Sequence, residues 1–243
     1  MQDVEYEKMY GVEERHWWYR TLHELILATL RANIPGNLRL FDAGCGTGRL
    51  LQLAKPLGEV VGCDRSPHAL ARCRSRGVEA FNADLNALTL EPGAYNAITA
   101  IDVLYHGWIA DEVAVLRRLR EALEPGGLLI LDDPAYEWLR GHHDRAVMTR
   151  RRYTLATRRR LLEQAGFRVE RATYRNAILF PTIAAHRLLR RWSGRQGEAS
   201  DVWMPSAPLN ALCLAVGRLE NRWLNRANLP FGSSVFAVAR RLS

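Results

Sequence analysis

At 243 residues, 48% hydrophobic and 25% charged, the chain is long enough for one α/β domain with appendages and a sizeable buried core. Its net charge of +8 is uneven: the first 100 residues carry 11 Lys/Arg against 12 Asp/Glu, the remainder 23 against 14. The apolar stretches at 177–185 and 211–216 are too short to span a bilayer, and Cys45, Cys63, Cys73 and Cys213 lack the short paired spacing of a zinc site or disulfide framework, so no metal is expected.

The first periodic segment covers residues 6–30. Leu22, Leu25, Ile26, Thr29 and Leu30 recur at helical spacing, and Glu13-Glu14-Arg15-His16-Trp17-Trp18-Tyr19-Arg20 sets three aromatics beside a histidine and two arginines. Residues 38–41 form a short apolar strand. Asp42-Ala43-Gly44-Cys45-Gly46-Thr47-Gly48 then turns tightly into a helix carrying residues 50–54. Alternate glycines let the backbone pass close under a ligand, and the helix start aims free N–H groups at it. Asp42 selects that ligand: it repels a pyrophosphate and attracts a group bearing an amine and a sulfonium. A nicotinamide fingerprint would need glycine where Arg49 stands. The loop therefore predicts an S-adenosylmethionine cradle.

Residues 60–64 are a second strand ending at Asp64, placed to hold ribose hydroxyls, with Arg65 beside it. Ser66 and Pro67 open a helix that Gly77 ends. Residues 78–82 form a third strand, and Asp84-Leu85 offers an acid and an apolar surface suited to an adenine amino group and ring. A fourth strand at 95–101 closes on Ile101 and Asp102; a helix over 111–124 and Pro125-Gly126-Gly127 lead to a fifth at 128–131. Beyond its carboxyl end, where open α/β sheets bind ligands, come Tyr136, Trp138 and Gly141-His142-His143-Asp144, a candidate base or substrate clamp. Thr154 caps a helix ending near Gly166, followed by a sixth strand at 167–174. The seventh is expected at 234–239, after two helices, 183–192 and 209–224, joined by residues 193–205.

The ordered set of the 42–48 loop, Asp64, Asp84-Leu85, the strand ending at Asp102 and Leu123-Glu124-Pro125-Gly126-Gly127 resembles the class I S-adenosylmethionine-dependent methyltransferases, over roughly residues 38–175. The resemblance implies a doubly wound, seven-stranded, mostly parallel Rossmann-like α/β sheet with an antiparallel last strand. It also implies division into a helical lid (1–35), a cofactor-binding core (36–175), a helical insertion between strands 6 and 7 (176–232) and the last strand (233–243). The cofactor it implies is S-adenosyl-L-methionine, leaving as S-adenosyl-L-homocysteine. Arg20 is expected to meet the methionine carboxylate, and Asp42, Ala43, Gly44, Cys45, Gly46, Asp64, Arg65, Asp84, Leu85, Ile101 and Asp102 to surround the rest. His106, just past the fourth strand where the methyl group should point, is the first candidate for base or orienting group, and His143 the second. Trp17, Trp18, Tyr105, Tyr136 and His142 are expected to line the acceptor.

The expected reaction is methyl transfer to an oxygen of a small or lipid-like metabolite, acidic ones among the candidates. Alternatives are transfer to nitrogen, another use of the same cofactor, or a non-catalytic partner subunit. Arginine runs at 150–152, 158–160 and Arg187/Arg190/Arg191/Arg195 read as a solvated basic face or as a surface for an acidic partner. No RNA-binding motif is visible. The insertion is read as a core-closing or dimer-forming helix pair, or as a cover or membrane-surface patch; a monomer or homodimer is expected. No charged-then-apolar leader opens the chain, and a cytoplasmic setting is expected.

Overall fold

The computed structural model describes residues 3–141, 144, 147–192 and 204–242. Along the chain run α1 (Asp3–Val12), α2 (Trp17–Asn33), β1 (Leu38–Ala43), α3 (Arg49–Ala54), β2 (Gly58–Asp64), α4 (Pro67–Ser75), β3 (Glu79–Asn82), β4 (Tyr95–Ile101), α5 (Glu112–Ala122), β5 (Leu123–Pro134), α6 (Leu155–Gln164), β6 (Phe167–Arg175), α7 (Phe180–Trp192), α8 (Ala207–Leu224) and β7 (Ser234–Arg241).

The seven strands form one sheet in the order β3-β2-β1-β4-β5-β7-β6. β1 to β5 pair in parallel, and β7 enters antiparallel between β5 and β6. This is the seven-stranded, Rossmann-like arrangement that the sequence led us to expect. The order reverses at β1/β4, so the crevice at their carboxyl ends is the natural ligand position.

Local signals hold where they were strongest. Ser66 caps α4 through Ala69 N, Asp111 caps α5 through Val113 N and Ala114 N, and Thr154 forms a capping box with Thr157. α5 is shorter than expected and β5 longer. The chain becomes extended at Leu123, before Pro125-Gly126, because Tyr95 pairs with Leu123 across an irregularity in the β4–β5 ladder.

Two apolar layers sandwich the sheet. On one face α5 and α6 pack Val115, Leu116, Leu119 and Leu162 against β4 and β5. On the other, Leu22, Leu25, Ile26 and Leu30 of α2 meet Leu40, Ile130, Phe236 and Val238. α2 is therefore a layer of the core, and α1, the turn after it and the first turns of α2 reach the crevice. α8 lies along α2 at very close range: a Cβ on Gly217 would stand 2.7 Å from Thr21 Cγ2, which requires glycine there.

The arginine runs do not make one solvated face. Arg158 is fully buried, with its Nη2 2.5 Å from Asp133 and its guanidinium 3.7 Å above the Tyr153 ring. Arg152 grips Asp144 through Nε and Nη2 (2.8 and 3.0 Å), and Arg151 pairs with Glu112. Arg150, Arg159 and Arg160 stay exposed. A core acid needs a cation, and the run supplies it. Arg195 lies outside the described residues.

Candidate active site

A cavity of about 500 Å³ opens at the carboxyl ends of β1, β2 and β4. Its floor is the 42–48 loop. Gly44 N and Cys45 N both donate to Cys63 O at 2.9 Å, and Gly46 N donates to Asp64 Oδ2 at 3.0 Å. Gly46 sits at φ +54°, and a Cβ there would come 3.1 Å from Met9 Cε of α1. The backbone thus runs bare beneath the cavity.

Acids surround this floor. Asp42 is buried and accepts from Thr99 Oγ1 at 2.6 Å; burial, with the Asp64 charge beside it, pushes its carboxyl up to about 7 despite that bond. Asp102 follows β4 at φ +51°, and its N–H donates to Asp132 O. Burial and the neighbouring Asp132 and Asp133 raise it well above the usual carboxylate range. Asp64 receives Ser66 N and the Tyr6 hydroxyl on Oδ1, at 2.9 and 3.0 Å.

The turn between α1 and α2 is fastened to the loop. Thr47 Oγ1 donates to Glu13 Oε1 at 2.5 Å, and Arg76 reaches the same oxygen at 3.0 Å. Trp17, Trp18, Tyr19, Leu22 and His23 present one wall. Burial pushes His23 down to about 3, so it is a neutral wall residue.

The opposite end is built by loops that lace together. Gly107 N donates to Met148 O and Arg150 N to Tyr105 O, both at 2.9 Å, while Tyr153 N bonds Pro134 O. His106 lies in this lacing, stacked against Trp108 with ring centroids 5.5 Å apart. Its Nδ1 is 2.6 Å from Val147 O. A carbonyl only accepts, so Nδ1 carries the proton and Nε2 keeps a lone pair. Burial pushes this imidazole down to about 4, so it is neutral at physiological pH.

Comparison with known proteins matches residues 40–127 to the family described as "Methyltransferase domain". Residues 40–127 are a methyltransferase domain, carried on the class I S-adenosylmethionine-dependent fold. Among relatives, it is 35% identical over 106 residues to the tRNA (carboxymethyluridine(34)-5-O)-methyltransferase of Macaca fascicularis, covering 43% of this chain and 15% of that protein. It is 30% identical over 146 residues to a ubiquinone biosynthesis O-methyltransferase of Xanthomonas campestris pv. campestris, covering 53% of this chain and 59% of that one. The match thus spans less than two thirds of either relative. Two solved structures share the fold: an S-adenosylmethionine-dependent methyltransferase from Mesorhizobium loti (TM-score 0.57, 21% identity, 88% of this chain and 96% of that one) and Haemonchus contortus phosphoethanolamine N-methyltransferase 2 bound to S-adenosyl-L-methionine (TM-score 0.57, 19% identity, 93% and 53%).

S-adenosyl-L-methionine is the cofactor of this methyltransferase domain, and the cradle suits it. A bare glycine backbone admits close approach, and the acids Asp42 and Asp102 line the same cavity. Of the expected site residues, Trp17, Trp18, Asp42, Gly44, Cys45, Gly46, Asp64, Ile101, Asp102, Tyr105 and His106 line the one cavity. Others do not. Arg20 falls off the α2 face formed by Trp18, Tyr19, Leu22 and His23, and Arg49 lines the cavity near the 42–48 loop. Arg65 lies over the Trp108 ring at 4.8 Å, so it supports a lining residue and does not line the cavity itself. Asp84 is exposed and bound to Asn86, and Leu85 is buried in the core. Ala43 is a buried strand end. Tyr136 stacks on Tyr174 at 5.0 Å, away from the cavity. His142 and His143 lie outside the described residues; the neighbouring Asp144 is taken up by Arg152.

Sequence reading missed Tyr6, Met9, Glu13 and Trp108 as lining residues, and Arg152 and Arg187 at the far end. No local pattern marks the first three: α1 has no apolar stripe and reaches the loop only through the fold.

Proposed function

We propose that the protein transfers a methyl group from S-adenosyl-L-methionine to an oxygen of a small or lipid-like metabolite. The state of His106 carries this reading. When bound, the cofactor supplies an electrophilic methyl carbon on a sulfonium. The chain's own work is to hold the acceptor in line and keep water out, which the Trp17–Trp18 wall and the loop lacing at 147–150 are placed to do.

His106 holds one tautomer, with Nδ1–H fixed on Val147 O and Nε2 left to accept the acceptor's hydroxyl proton. A weak, neutral base suits an oxygen nucleophile: an alkylated oxygen sheds its proton readily, whereas an ammonium must lose its proton before it can attack. Asp42, Gly44, Gly46 and Asp64 would hold the cofactor, with Asp102 and Arg49 toward its amino-acid end. The O-methyltransferases among the relatives agree with an oxygen acceptor.

The test is tritium transfer from labelled cofactor to a panel of phenols, catechols and hydroxylated lipids beside a panel of amines. Transfer to oxygen acceptors is expected, with kcat in His106→Ala lowered roughly 10²–10⁴-fold and cofactor Kd nearly unchanged. Transfer confined to amines would overturn the oxygen reading, and an unchanged kcat would remove His106 from the proton path.

A further inference from the structure

α8 turns three polar side chains toward the protein. Asn210 accepts from Trp17 N at 2.9 Å and donates to Arg15 O at 2.9 Å, Asn221 donates to Thr21 O at 2.8 Å, and the buried Glu220 accepts from Asn176 N and Ile178 N. Leu224 is buried with them, but a row of other apolar residues faces outward. Leu212, Leu219 and Trp223 are 61%, 59% and 59% exposed, and Ala215 is exposed between them. Spacings of three and four residues put these on one stripe, about 16 Å long.

Basic charge predominates beside this stripe. Arg222 and Arg226 are exposed, and Arg218 is shared with Glu24 on α2. Glu220, the one acid in α8, points inward. α7, the other helix of the insertion, also exposes Leu188 and Leu189. A second copy docked by a two-fold axis would bring this arginine row toward its own image with no acid on α8's outer face to meet it. A surface offering apolar depth beneath a layer of negative charge satisfies both halves of the pattern.

We infer that the outer face of α8 is a docking surface for an anionic membrane, with Leu212, Leu219 and Trp223 entering the headgroup–acyl boundary and Arg222 and Arg226 meeting lipid phosphates. A leucine-and-tryptophan face flanked by arginine is the composition of helices that lie in the interface plane. The proposal does not depend on which acceptor is methylated.

The test is co-sedimentation of the full chain with vesicles of phosphatidylcholine alone or with added phosphatidylglycerol. Binding is expected only to the anionic vesicles. Each arginine near the surface adds roughly fivefold to partitioning, so Arg222→Glu with Arg226→Glu should lower it at least about tenfold. Leu219→Asp with Trp223→Asp should abolish it, with calorimetric cofactor binding retained as proof of folding. Failure to bind phosphatidylglycerol vesicles, or undiminished binding by the folded double variants, overturns the proposal. So does a dimer in sedimentation velocity that Leu219→Asp/Trp223→Asp dissociates, which would assign the stripe to a second copy.

Discussion

The Tyr6 hydroxyl of α1 donates to Asp64 Oδ1 at 3.0 Å, closing the first helix over the acid at the end of β2. Asp64 already receives Ser66 N on that oxygen and Gly46 N on the other, and a carboxylate has about four acceptor positions. A ribose diol bound there must compete with Tyr6. Backbone donors are fixed by the fold, whereas α1 is held partly by surface contacts such as Arg72 with Glu7 and with the Tyr10 ring. Tyr6→Phe should tighten cofactor binding by between about two- and tenfold, the worth of one net hydrogen bond. Calorimetry checks this; weaker binding would mean that Tyr6 serves the bound state.

Asp42 makes cofactor affinity depend on pH. Its carboxyl, pushed up to about 7 by burial, is largely protonated below neutrality in the free domain. A cationic ligand favours the ionised form, so binding below pH 7 must release that proton. Affinity for S-adenosylmethionine should therefore rise with pH, approaching tenfold per unit well below 7, and level off above it. S-adenosylhomocysteine lacks the sulfonium charge and should respond less. Asp42→Asn should flatten the profile; a flat profile in the parent protein would remove Asp42 from contact with the ligand's charge.

The arginines at 158 and 159 are neighbours with opposite fates. Arg158→Ala would strand Asp133 in the core beside Tyr153 and should destabilise by about 3–5 kcal/mol. Arg159→Ala, at an exposed position, should stay within about 0.5 kcal/mol. Urea denaturation of both variants tests the contrast, and equal effects would contradict the burial of Arg158.

Glu220 ties α8 to the end of β6 by accepting two backbone N–H groups. Glu220→Ala should lower stability by about 2–3 kcal/mol, and Glu220→Gln, which keeps one acceptor oxygen, by about 1 kcal/mol. Denaturant midpoints read both; a neutral Glu220→Ala would mean that water replaces the carboxylate.

Strands and caps were legible because their signals are local: short apolar runs lead to Asp42, Asp64 and Asp102, and Ser66, Asp111 and Thr154 stand immediately before their helices. The cradle was legible for the same reason, as its glycines and acids are close in sequence or end adjacent strands. Tyr6 was not, since its relation to Asp64 exists only once α1 has docked. Arg158 was misread because a charge run looks solvated until its partner Asp133 on β5 is known. Arg20 lies off the lining face of α2 and Arg49 on the cavity wall, a difference of helix rotation that position along the sequence does not reveal. The direction of α8 was not legible, because it is set by Asn210, Glu220 and Asn221 finding backbone partners inside.

The place of β7 between β5 and β6 has a consequence for synthesis. β6 pairs with no strand except β7, and β5 has one free edge until β7 arrives. A nascent chain can assemble β1 to β5, and with them the cradle, while residues 234–241 are still inside the ribosome. Until they emerge, β5 offers an unpaired edge and β6 has no neighbour, a state open to mispairing with other chains. The half that binds cofactor can thus form before β7 closes the sheet, so ligand added during translation should protect the chain before β7 has paired.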